Sequence, residues 1–148
     1  MKRKTLGIIA GVCAVGLTAG LVTNFVMDEN RVPTRTLGAG AFQAAVVRMD
    51  GTLDKEDKSK IVSDLTTVDG MEVVLKEDAT ITYVLHWFNE DKELLSSTEK
   101  QTDDFEGEAV EGAKYFRAEI TPVGDEDGEV SIFELPGYAL QLEITVNK

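Results

Sequence analysis

The chain has 148 residues, with 27 acidic against 15 basic side chains and one histidine, for a net charge of −12. That sign is wrong for DNA, RNA or an anionic lipid surface, all of which need cations against phosphate. Cys13 is the only cysteine, so no intrachain disulfide can form and a folded domain must rest on its apolar core.

Lys2, Arg3 and Lys4 are followed by an uncharged run from Thr5 to Met27, closed by Asp28 and Glu29. As a helix this run extends about 34 Å, enough for a hydrocarbon core of about 30 Å. It predicts a transmembrane signal-anchor over 5–27. The basic tip, 1–4, is then cytoplasmic and the rest extracytoplasmic, which places the protein at the cell membrane as a single-pass species. The competing reading is a cleaved signal peptide. Its apolar stretch would be shorter, and the clearest small-x-small triplet, Ala39-Gly40-Ala41, lies well beyond Met27. Beyond residue 27 stand all 27 acidic residues and 12 of the basic ones, about −15 in all. Gly7 with Gly11, and Gly16 with Gly20, match the close-packing spacing of membrane helices, and either pair offers a route to an oligomer. Glycine is also simply common in such helices.

Residues 28–40 (DENRVPTRTLGAG) read as a polar tether. From 41 to 148 the apolar period is two, the mark of half-buried strands. Phe42, Ala44 and Val46 alternate with Gln43, Ala45 and Val47. Leu53 to Val62, rich in charge, reads as a turn of helix or a loop. Met71, Val73 and Leu75 form the next strand. Thr80–Asn89 follows, rich in β-branched and aromatic residues, with Ile81, Tyr83, Leu85 and Trp87 on the more apolar face. Asn89-Glu90-Asp91-Lys92 reads as a hairpin turn into Leu94 and Leu95. Phe116, Ala118 and Ile120 mark another strand, and Tyr138, Leu140, Leu142, Ile144 and Val146 the last. Turns are signalled at Asp50-Gly51, Asp69-Gly70, Glu111-Gly112, Asp127-Gly128 and Pro136-Gly137. About eight short strands with little helix predict an all-β sandwich or jelly roll behind one N-terminal transmembrane helix.

Trp87-Phe88-Asn89-Glu90-Asp91-Lys92-Glu93-Leu94-Leu95-Ser96-Ser97, followed by Val110-Glu111-Gly112-Ala113-Lys114-Tyr115-Phe116-Arg117, resembles the galactose-binding-like jelly-roll modules of bacterial surface and phage-tail proteins. In that pattern an aromatic strand end enters a polar turn, and a Pro-Glu-Gly-Ala-Lys-Tyr segment opens a later core strand; here Val110 precedes Glu111-Gly112 and the proline is absent. The resemblance implies a jelly-roll scaffold over roughly 40–148. It carries over no ligand-binding motif, and fold analogy cannot choose a ligand.

Candidate sites follow from residue type. His86 falls on the less apolar face of its strand, and Tyr115, Arg117 and Glu119 share a face of theirs. If the strands are neighbours, these four assemble an aromatic, a forked donor and a carboxylate suited to a sugar or peptide. The ordinary alternative is a solvated sheet face with cross-strand contacts. Asp50, Asp54 and Asp57 supply oxygens of the kind calcium takes, although EF-hand spacing is absent; no other cofactor is expected. A single histidine, no Gly-x-Ser-x-Gly elbow, no phosphate loop and no zinc spacing argue against an enzyme. The expectation is a non-catalytic binding module for an envelope or extracellular carbohydrate. The rival is an accessory subunit of a membrane or cell-surface complex, contacting an envelope protein.

Overall fold

The computed structural model describes residues 32–124 and 128–148. The expected span over 5–27 lies outside the described residues, as do Cys13 and Asp127 of the expected Asp127-Gly128 turn. The expected helix-packing role of Gly7, Gly11, Gly16 and Gly20 gains no support from the structure, because all four lie outside the described residues too. Among the described residues no helix is long and apolar enough to cross a membrane.

Thr34 to Lys148 make one compact unit. It is all-β and antiparallel, with two main sheets sharing one core. One sheet has three strands in the order β1 (Thr34–Thr36), β11 (Leu142–Asn147), β7 (Glu72–Leu75). The other runs β2 (Phe42–Ala44), β5 (Ile61–Ser63), β10 (Tyr115–Pro122), β8 (Ile81–Phe88), β9 (Leu94–Ser97). A sixth strand, β6 (Thr66–Thr67), also pairs with β10. A small hairpin, β3 (Val46–Val47) with β4 (Leu53–Asp54), stands apart. A short α-helical turn, α1 (Leu135–Ala139), precedes β11.

Three boundaries differ from the sequence pattern. Thr34–Thr36, read as tether, is a strand: all three residues are exposed, so no hydrophobic alternation marked it, yet they pair residue by residue with Asn147, Val146 and Thr145. Leu135–Ala139 is helical although Tyr138 and Leu140 continue the period of β11; Pro136 occupies the start of the helix, where its missing N–H costs nothing. The Leu53–Val62 stretch opens as β4 and closes in β5, with turns between.

The core follows from alternation. Ile81, Tyr83, Leu85 and Trp87 of β8, Phe116, Ala118 and Ile120 of β10, and Leu142, Ile144 and Val146 of β11 are buried and meet in one cluster with Val73 and Ile61. Trp87 stacks obliquely on Phe116, with ring centroids 6.3 Å apart, and on Phe105, at 5.7 Å. Phe105 lies on a strand-like segment that leaves β9, pairs at Gln101 with Tyr83, and reaches Val73 of the opposite sheet. The Tyr83 hydroxyl donates to the Asp103 carbonyl at 2.6 Å, holding that crossing in place. Burial, with the nearby Asp104 and Asp103 carboxylates, pushes the Tyr83 phenol far up, so it stays protonated and a donor.

Two substitutions measure this closure. Tyr83→Phe strands the Asp103 carbonyl and should lower unfolding stability by about 1 kcal/mol. Trp87→Ala removes the largest buried side chain and should cost about 3–5 kcal/mol. Urea denaturation followed by circular dichroism checks both, and equal losses would mean the aromatic packing contributes no more than the hydroxyl.

Candidate functional site: a buried polar cluster beneath a hairpin strap

Because β8 and β10 pair over their full lengths, the residues opposite the core share one outer face. Arg117 stands opposite His86, Glu119 opposite Val84 and Tyr115 opposite Phe88. All four residues singled out from the sequence are therefore brought onto neighbouring strands. They do not form an open platform. His86 is 8% exposed and Glu119 6%, and Phe88, on the same face, is 2%.

The cover comes from the β3–β4 hairpin. Ala45 N–H bonds the Lys60 carbonyl, leading the chain off β2, and Val47 N–H then donates to Glu119 Oε2 at 2.7 Å, over β10. The tip turns at Gly51, whose φ is +91°, and a Cβ there would lie 2.9 Å from Leu94 Cβ and 3.2 Å from the Phe88 ring. The hairpin thus straps the outer face from the β2 side to β9. Only glycine serves at its tip, for both backbone and space. Arg48 N–H to the Thr52 carbonyl and an Arg48–Asp54 ion pair at 3.7 Å close the turn.

Under the strap the polar groups satisfy one another. His86 Nε2 meets Glu119 Oε1 at 3.1 Å, and His86 Nδ1 meets Ser97 Oγ at 2.6 Å. Burial alone would raise the Glu119 carboxyl. The hydrogen bonds from His86 and Val47 N–H, with the charges of His86 and Lys60, outweigh it and hold the group below its ordinary value, hence ionised. An ionised carboxylate only accepts, so Nε2 carries a proton. The Ser97 Oγ–Nδ1 bond follows the same proton count: the serine donates to a neutral imidazole and accepts from a charged one.

Arg117 points the other way. Its Nη1 donates to the Ser63 carbonyl at 2.7 Å, and Ser63 Oγ takes the Ala118 N–H at 2.8 Å where the ladder between β5 and β10 lapses. Burial lowers the guanidinium and Asp64 partly restores it, while Nε has no hydrogen-bond partner among the described residues. Tyr115, half-buried, lies under Lys92 Nζ at 5.7 Å from its ring centroid.

The candidate calcium ligands are each taken up locally. Asp50 accepts from Thr52 N–H and hydroxyl, Asp54 from Glu56 N–H, and Asp57 from Ser59 N–H and hydroxyl. Among the described residues no three histidine, cysteine or carboxylate side chains gather as a metal site. Ser97 and the Val47 strap were not singled out from the sequence; strand register brings Ser97 to His86, and a long-range hydrogen bond brings Val47 to Glu119. Comparisons with protein-family models, with curated proteins and with solved structures give no match.

Two measurements test the strap. Since the folded-state carboxyl of Glu119 is depressed, its stabilisation is complete above its ordinary value of 4.5 and is lost as pH falls through the lower folded value. Wild-type stability should drop from pH 5 to about pH 3 more steeply than that of Glu119→Gln, in urea melts; parallel curves would remove Glu119 from the acid limb. Gly51→Ala should destabilise by about 1–3 kcal/mol and raise hydrogen exchange at Val47 N–H, whereas unchanged exchange there would mean that the tip does not hold the strap.

Proposed function

We propose that this chain is a membrane-anchored, extracytoplasmic and non-catalytic module of jelly-roll type that serves as an accessory subunit of a membrane or cell-surface assembly. Three observations support it. The pairing is nested: β1 with β11, β5 with β10, β7 with the Phe105 segment, and β8 with β9. First with last and inward in turn is how a rolled-up antiparallel hairpin makes a jelly roll. The uncharged run over 5–27 behind a basic tip supports the anchor and its orientation.

The observation that chooses a protein partner over a carbohydrate is the distribution of apolar surface. Ile132 and Phe133, adjacent in the loop before α1, are 80% and 89% exposed, and Leu140 just after it is 57% exposed. Two adjacent, almost fully exposed large apolar side chains on an acidic domain are what a contact with another protein uses. By contrast, on the face with His86, Arg117 and Glu119 the imidazole and carboxylate are buried and bonded to one another, to Ser97 and to Val47 N–H, which leaves them little to offer a sugar.

The test uses the full chain solubilised from its own membranes. On native gels the wild type should migrate in an assembly larger than itself, and Ile132→Asp with Phe133→Asp should release it. The double variant should melt within about 0.5 kcal/mol of wild type, as surface changes do. A wild type that runs alone, or a variant that stays assembled, would overturn the reading. A dose-dependent rise in melting temperature with an envelope glycan would replace it by carbohydrate recognition.

A further inference from the structure

Ser97, His86 and Glu119 form a hydroxyl–imidazole–carboxylate array on three adjacent strands, and the partner-binding reading makes no use of it. Ser97 Oγ is 2.6 Å from His86 Nδ1, and His86 Nε2 is 3.1 Å from Glu119 Oε1. The protons are placed as such an array requires. Glu119 is held ionised by His86, Val47 N–H and the charge of Lys60, so it accepts from Nε2, and in the neutral imidazole the Nδ1 lone pair then faces the serine hydroxyl. Exposure is divided to match. His86 and Glu119 are buried, while Ser97 is exposed on β9, the last strand of its sheet. A nucleophile is thus open to solvent, its base is sheltered, and a third group fixes the base.

We propose that Ser97 is a base-activated hydroxyl that accepts an acyl group from an activated acyl donor, a thioester or an activated ester. Ser97 Oγ attacks the carbonyl carbon as its proton passes to His86 Nδ1. The tetrahedral intermediate expels the thiolate or alkoxide, which takes that proton back from His86. One C–O bond forms, one C–S or C–O bond breaks, and nothing is oxidised or reduced. Glu119 is a positioning residue, setting the tautomer and stabilising the transient imidazolium. The acidic exterior and the ionised Glu119 disfavour a phosphoryl donor, whose charge has the same sign. Ser97 stands on an open edge strand and lines none of the three surface clefts found beside Asp104, Asp57 and Leu140. An exposed hydroxyl on an edge strand suits a single covalent modification.

Ser96 supplies an internal reference, since it is also exposed and sits one residue away without an imidazole partner. The full chain in detergent is treated with p-nitrophenyl acetate, and acetylation at each serine is followed by peptide mass spectrometry. Ser97 should react about 10²–10⁴ times faster than Ser96, the range of general-base assistance. His86→Gln should bring the two within about tenfold of each other. Because that variant disturbs a buried pair, the wild-type pH profile gives a second readout. The Ser97 rate should rise with pH and then level, as a base-assisted reaction does, whereas an unassisted hydroxyl climbs about tenfold per pH unit throughout. Equal rates at Ser96 and Ser97, an unaltered Ser97 rate in folded His86→Gln, or a profile without a plateau would each overturn the proposal. Because the readout is chemical, it stands or falls separately from the native-gel test of a partner.

Discussion

The pairing of β8 with β10, eight residues against eight, organises both sides of this domain. A strand pair in fixed register sends alternate residues to opposite faces, so the register that buries Tyr83, Leu85, Trp87, Phe116, Ala118 and Ile120 also sets His86, Arg117 and Glu119 side by side behind them. A slip of one residue would put the imidazole and carboxylate into the core and the aromatic rings outside. The apolar core therefore enforces the polar cluster, although no core residue touches its hydrogen bonds. Trp87 extends this control across the sandwich through Phe105, which joins the opposite sheet at Val73.

Burying a histidine and a glutamate on the outer face is costly unless every polar atom is answered. Here each is: Ser97 and Glu119 take the two imidazole nitrogens, and His86 and Val47 N–H take the two carboxylate oxygens. The hairpin carrying Val47 is consequently part of the cluster, and Gly51 lets its tip settle on Phe88 and Leu94. The same closure sets Ser97 Oγ against a sheltered imidazole whose other nitrogen is held by Glu119.

The exposed apolar pair and Ser97 occupy different places. Ile132 and Phe133 lie in the loop leading into α1, which packs against β2, whereas Ser97 is on β9 at the other edge of that sheet. A partner on the first does not have to cover the second.

Much of this was legible in the residues themselves. The period-two pattern of Ile81–Phe88 and of Phe116–Ile120 marks which face is buried, because burial is periodic and each strand carries its own record of it. The turns at Gly51, Gly70 and Gly112 were marked too, and all three glycines have positive φ. The sharing of a face by His86 and Arg117 was conditional on two strands being neighbours, which no local pattern states. Ser97 was hidden for a sharper reason. Counting back from the Asn89–Glu93 turn, Phe88 meets Leu94, and a regular ladder would set Ser96 against His86; the irregularity between Trp87 and Phe88 inserts one residue and brings Ser97 there instead. The turn of the strap at Asp50-Gly51 was marked, but its seat over β10 was not, because that depends on a backbone N–H meeting a carboxylate 72 residues away. Alternation and turn chemistry are local, and so a chain declares them residue by residue. Register, a bulge and a long-range hydrogen bond exist only once two distant segments have met, and these decided which partners His86, Glu119 and Ser97 find.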